Sequence, residues 1–269
     1  MFEITKKLLG IKKRLPRSLA LPKQEKGYRG SWGECYRKIF ISQEETMNKL
    51  TFANIEKSIS PERLATYKTD GAPNEVALAR YIYNIELSKS FYPIINIFEV
   101  TLRNSIDNAL KKFFDVQDWS DVIPLTETER RMIDEAKIKI VQRDQLYSIN
   151  QLVSELTLGF WVALMGRKYN SQKFRSFMIK NMFHDCPSEQ KSSAAVQKNL
   201  AEIRFLRNRI AHHKRISHWT DLKQKHDLIL DFIRWMSQEM HKIAVNNDTF
   251  DAVYKNGIAP FERFVRENL

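Results

Sequence analysis

The run Arg207-Asn208-Arg209-Ile210-Ala211-His212-His213, continued by Lys214 and Arg215, gathers guanidinium, amide and imidazole groups in one short stretch. Cleaving an RNA phosphodiester takes a base for the 2′-oxygen proton, an acid for the departing 5′-oxygen, and cations for the charge that grows on phosphate. Arginine, asparagine and histidine can fill those roles without a metal. An imidazole with an unperturbed pKa of about 6.5 both takes and gives a proton near neutrality.

The element that carries these groups reads as a helix. Val196, Leu200, Ile203, Leu206 and Ile210 recur every three or four residues, with an end near Ala211. At 100° per residue, Arg207 falls about 40° from Ile203, inside the apolar stripe. A guanidinium there needs a partner: a glutamate on a neighbouring helix in the plain structural reading, a subunit interface or a bound phosphate in the functional one. His212 points about 140° away from Arg207, so one straight helix cannot aim both at one atom. A helix end, or a two-fold axis beside the motif that gathers two copies of each, removes that difficulty. His213 reads either as a partial substitute for His212 or as the residue that closes the helix, where it, Lys214 and Arg215 suit the negative end of the dipole. His226, between Leu222 and Ile229, reads as a satisfied core imidazole, and His184, His218 and His241 carry no pattern.

The span from Arg207 to His212 matches the R-N-x-x-x-H motif of HEPN-superfamily ribonucleases. Its setting resembles the abortive-infection (Abi) proteins of the AbiD/AbiF type, found in bacterial phage defence and toxin-antitoxin systems. Four further blocks carry the resemblance: Ser60-Pro61-Glu62-Arg63-Leu64 with Tyr67; Tyr81-Ile82-Tyr83-Asn84; Phe98-Glu99-Val100-Thr101-Leu102-Arg103-Asn104; and Ser154-Glu155-Leu156-Thr157-Leu158-Gly159-Phe160-Trp161. The resemblance implies an all-α HEPN-like helical bundle with additional helices, a homodimer whose two motifs line one cleft, and metal-independent RNA cleavage leaving a 2′,3′-cyclic phosphate. Arg207 would hold the scissile phosphate, Asn208 orient the site, and His212 act as acid or base, with an RNA or protein antitoxin as partner. The rival is a non-catalytic RNA- or protein-binding module, in which the same motif shapes a basic cleft.

Leu102-Arg103-Asn104-Ser105-Ile106-Asp107-Asn108 repeats the pattern of residues 206–212, with Asn108 where His212 stands. Glu99, Arg103 and Asp107 also fall four apart, the spacing of an ion-pair ladder along a helix. Arg103, Asn104 and Glu99 are therefore auxiliary candidates beside His213. Arg209, Lys214 and Arg215 are candidate RNA contacts.

The elements that must position these groups are helical. Eight Gly and eight Pro in 269 residues leave long uninterrupted stretches, and 43% hydrophobic residues are enough for a core. Ser60-Pro61 reads as a cap and first helical residue, Asn74 as a cap for a helix to about Ser90, and Ile95, Phe98, Leu102, Ile106, Ala109 and Phe113 as a second helix after Pro93. Thr126 with Glu129 is a capping-box signature, and one helix is expected over 150–165. After the motif helix a single long helix is expected from Trp219 to Ile243, and a final one after Pro260. No alternating strand pattern stands out. Nor does a Walker loop, an HExxH or a GxSxG elbow, so neither a metal nor an organic cofactor is expected.

Charge is uneven. Residues 1–38 hold eleven Lys or Arg against three Glu, which leaves eight of the twelve net positive charges there. Residues 1–42 read as a basic N-terminal arm and linker, and 43–269 as the helical domain. In the arm Ile4, Leu8, Ile11 and Leu15 would give a short helix an apolar stripe, with Lys12, Lys13 and Arg14 among its cations. Such a helix would grip RNA, a membrane or a partner; the alternative is a basic, partly disordered tether, with Tyr28, Trp32 and Tyr36 either stacking on bases or packing on the body. No apolar run reaches the ~20 residues of a membrane span, and Cys35 and Cys186 lie far apart, as in a reducing compartment. A cytoplasmic protein is expected, with no membrane partner. If the arm supplies phosphate contacts, removing residues 1–38 will flatten the salt dependence of RNA binding, measured as the slope of log affinity against log salt concentration.

Overall fold

The computed structural model describes residues 51–269; the arm, with Lys12, Lys13 and Arg14, lies outside the described residues. The regular structure of the described part is helical, with no strand. The helices are α1 (Phe52–Ile59), α2 (Pro61–Ala65), α3 (Asn74–Phe114), α4 (Glu127–Gln142), α5 (Ile149–Glu155), α6 (Leu158–Leu164), α7 (Lys173–Met182), α8 (Ser193–Ala211), α9 (Leu222–Met236), α10 (Gln238–Asn246), α11 (Phe250–Asn256) and α12 (Ala259–Asn268). None is long and apolar enough to cross a membrane.

Helix α3 is the axis of the bundle, 41 residues long, or about 60 Å at 1.5 Å per residue. Its side chains Leu87, Phe91, Ile94, Phe98, Leu102, Ile106 and Leu110 have no exposed surface, each contributing about 1.5–3 kcal/mol through burial. Helices α7, α9, α11 and α12 lie against it along its length. The motif helix α8 packs in turn on α6, α7 and α9, through Val196, Leu200, Ile203 and Leu206.

The structure departs from the sequence reading where tertiary packing overrides local punctuation. Pro93 does not divide α3. A proline inside a helix removes one hydrogen bond and crowds the preceding turn, at about 3 kcal/mol, yet Phe91, Ile94, Ile95 and Phe98 around it are all buried and keep one helix the better solution. Asn74 is the first helical residue, not the cap, which is Pro73. The helix expected over 150–165 is broken between α5 and α6, where Leu156 is extended. The long helix expected after the motif is two, parted at Ser237 (φ −159°, ψ 120°), whose hydroxyl then accepts from Met240 N–H to start α10. Thr126 does precede α4, but without the reciprocal box. Its N–H donates to Tyr169 Oη at 3.1 Å, and the buried Glu129 carboxylate takes hydrogen bonds from Tyr169 Oη, Lys168 Nζ and the Thr126 hydroxyl. Ser60-Pro61 behaves as read: the Ser60 hydroxyl accepts from Arg63 N–H at 3.2 Å, with Pro61 opening α2.

One polar residue of α3 fixes the chain just after the motif. Buried Asn84 accepts through Oδ1 from Ile216 N–H at 2.7 Å and Ser217 N–H at 3.1 Å. Replacing it, Asn84→Ala, leaves both donors without that acceptor, and the expected cost is about 1–3 kcal/mol. Chemical denaturation will show it as a lowered midpoint with an unchanged slope.

Candidate functional site

Helix α8 starts with the Ser192 hydroxyl accepting from Ala195 N–H at 3.2 Å. It ends in a paired closure: His213 N–H donates to Ile210 O at 2.9 Å and Lys214 N–H to Arg209 O at 2.8 Å, the hydrogen bonds of a Schellman cap. Such a cap needs a left-handed residue, usually glycine, and here His213 adopts it, at φ 54°. Arg63 Nη2 holds that residue in place by donating to the His213 carbonyl at 2.5 Å. Of the two roles read for His213, closing the helix is the one its backbone performs.

The turn that follows forms one wall of a cleft of about 730 Å³, with α2 and the turn after it opposite. Arg209, His212, His213, Lys214, Arg215 and His218 line it from the motif side, and Arg63, Thr66 and Tyr67 from the other. Its guanidinium groups bond to neutral oxygen: Arg63 to the His213 carbonyl, Arg209 to that of Arg215, and Arg215 to that of Thr66. Arg215 also lies over the Tyr67 ring, 5.2 Å from its centroid. Among the described residues none of these cations forms an ion pair, and the lining includes one acid, Glu62. Carbonyl groups fix a guanidinium without cancelling its charge, so the cleft keeps a positive field that draws in anions. Burial, then Arg215 and Arg209, push the His218 pKa below the ordinary imidazole value, so this ring is mainly uncharged at neutral pH and able to accept a proton.

Arg207 does not open into this cleft. It turns to α3 and pairs with Glu99, Nε to Oε1 at 2.6 Å and Nη2 to Oε2 at 3.4 Å. The two line a separate groove of about 270 Å³ with Tyr92, Asn96 and Ile210. This is the carboxylate partner anticipated for a guanidinium on the apolar side of the helix. Asn208 is exposed and reaches Arg207 Nη1 through Oδ1 at 3.5 Å. Within one chain, therefore, Arg207 and His212 belong to different cavities, in keeping with their angular separation, and the motif arginine that shares the cleft with His212 is Arg209.

The auxiliary residues divide. Glu99 meets Arg207; Arg103 and Asn104 do not line that groove. The ladder over Glu99, Arg103 and Asp107 does not form. Asp107 pairs instead with Lys111 at 2.7 Å and accepts from Trp119 Nε1 at 2.8 Å, while Arg103 Nε is buried without a hydrogen-bond partner among the described residues. Asn108 lies near His184 in a third pocket. His226 is a satisfied core imidazole, contacting Asp248 Oδ2 at 2.8 Å and Asp227 Oδ1 at 3.1 Å and stacked on Phe250. Three residues of the cleft and its support carried no role in the sequence reading: Arg63, Tyr67 and His218. The first two stand in the block from Ser60 to Tyr67; His218 gave no signal.

Among the described residues no three His, Cys, Asp or Glu side chains gather as a metal site would require. In class, the described chain is an all-α helical bundle with a cationic, histidine-bearing cleft at the C-terminal end of one helix. Neither protein-family models, curated proteins nor solved structures give a match to the chain.

An anion bound in the cleft will favour the imidazolium form of His218. In an NMR titration its apparent pKa should lie below the usual 6.5 in the free protein and rise with saturating inorganic phosphate; no movement would show that the cleft cations do not present phosphate to this ring.

Proposed function

We propose that the chain is a metal-independent endoribonuclease of the HEPN type, acting as a homodimer on RNA. The observation that carries the reading is the cleft beside His212, where imidazoles and carbonyl-held guanidinium groups form no ion pair with a carboxylate among the described residues. A polyanion supplies the missing negative charge, and an uncharged His218 near His212 offers a proton acceptor beside a second imidazole. In the reaction one imidazole takes the 2′-hydroxyl proton, the 2′-oxygen attacks phosphorus, and another imidazole protonates the leaving 5′-oxygen. Guanidinium groups stabilise the charge on the phosphoryl oxygens. Arg207 and His212 open to different cavities of one chain, so a site that uses both draws them from two copies. The resemblance of the motif and its four accessory blocks supports a setting in bacterial phage defence or toxin-antitoxin control, with an RNA or protein antitoxin.

A second reading is favoured by the Arg207–Glu99 pair. A guanidinium already held by a carboxylate is not free for phosphate, as in a module that binds RNA or protein without cutting it.

Purified wild type, Arg207→Ala and His212→Ala, incubated with single-stranded RNA in EDTA, separate the two. A nuclease gives EDTA-resistant cleavage with 2′,3′-cyclic phosphate ends, reduced about 100-fold or more in His212→Ala and also lost in Arg207→Ala. A binding module gives no cleavage in any of the three and only a modest affinity change in His212→Ala.

A further inference from the structure

Phe205 breaks the pattern of its helix. Val196, Leu200, Ile203 and Leu206 face the core, whereas the Phe205 ring is 57% exposed. It stacks nearly parallel on Trp219, with centroids 5.7 Å apart and planes 14° apart. Trp219 comes from the turn after the motif, where its N–H donates to Ile216 O at 3.0 Å, and Ile216 is itself anchored to Asn84. Lys225, ion-paired with Asp221, sits 5.4 Å from the Trp219 centroid and steadies the ring further. The pair is a fixed aromatic shelf at the surface.

The shelf adjoins the cleft through two residues. Arg209, one helical turn after Phe205, places its guanidinium 5.2 Å from the Trp219 centroid and 5.9 Å from that of Phe205, and it also lines the cleft. His218, on the same wall, has its ring 6.1 Å from that of Trp219. Cations that attract phosphate thus run directly into a flat apolar surface. Unpaired nucleic acid has both parts, a charged backbone and bases with free faces that stack on aromatic side chains. A duplex has its bases stacked on one another, and offers a protein only edges, sugars and phosphates.

We infer that the Phe205–Trp219 pair seats an unpaired nucleobase of an RNA whose backbone lies in the cleft, and that it makes the chain select single-stranded over duplex RNA. The inference rests on the RNA reading above, and it assigns strand selection to residues outside the R-N-x-x-x-H motif.

The test uses the full chain and a fluorescent 2′-O-methyl oligonucleotide, which lacks the 2′-hydroxyl needed for cleavage, single-stranded and annealed to its complement. Anisotropy titrations compare wild type, Phe205→Ala, Phe205→Leu and Phe205→Tyr. Wild type should prefer the single strand. Phe205→Ala and Phe205→Leu should weaken single-strand binding about tenfold, since loss of one base–aromatic stack is worth that much, and leave duplex binding unchanged; Phe205→Tyr should keep the preference. Retained preference in Phe205→Ala and Phe205→Leu, or an equal loss for both forms of RNA, would overturn the inference and leave RNA binding standing. Wild type that binds neither form would remove the RNA reading and this inference together. A Phe205→Ala chain of lower sedimenting mass with unchanged strand preference would make the pair a contact between copies instead, and overturn the inference.

Discussion

Burial along α3 is the constraint from which the rest of the molecule follows. Its fully buried apolar residues form one continuous face: Leu87, Phe91, Ile94, Phe98 and Leu102 recur every three or four residues without solvent contact, and Ala77, near its start, falls on the same side. A helix of that kind is stable only when other helices cover it, and α7, α9, α10, α11 and α12 do so. The same helix then carries the few polar groups that determine where the motif can stand. Asn84 holds the chain after α8, and Glu99 holds Arg207. One element thus sets the packing and shares with α2 and the turn after it the placing of the motif.

The cleft concentrates a kind of anchoring that occurs singly elsewhere. Asp107 with Lys111 and Glu129 with Lys168 are matched pairs, while buried Arg175, like the cleft arginines, is held by carbonyl and amide oxygens. Around His212 the guanidinium groups are anchored by carbonyl oxygens and aromatic faces, which orient them without an ion pair among the described residues. The like charges so gathered repel one another, and after burial, the larger cause, Arg215 and Arg209 add to the lowering of the His218 pKa. The left-handed backbone of His213 belongs to the same arrangement, since it turns the chain sharply enough to bring Lys214 and Arg215 back toward α2.

How far the sequence carried the reading depended on whether the signal was local. The motif helix, its end at Ala211 and the cap at Ser60 were legible, because a repeat of three or four residues and a serine before proline report on the chain's own neighbourhood. The angular arithmetic on α8 also carried over, separating Arg207 from His212 and anticipating a glutamate partner. The continuity of α3 through Pro93 was not legible, since it depends on side chains that arrive from distant helices. The break at Ser237 was hidden by an apolar repeat that runs on through it. His218 was invisible for a related reason. Its place in the cleft comes from the fold of an irregular turn anchored by Asn84, 132 residues before Ile216, and no periodicity records that. The accessory blocks carried more than expected: Arg63, Tyr67, Asn84 and Glu99 all lie within them, and all touch the motif helix or the turn that follows it.

The contact between Arg63 and the His213 carbonyl joins positions 150 residues apart. A nascent chain emerging from the ribosome exposes α2 early, but the opposite wall exists only once translation has passed His218 and α8 has docked. No growing or prematurely terminated polypeptide shorter than that holds a complete cleft. Synthesis itself therefore delays assembly of the site until most of the bundle is available to support it.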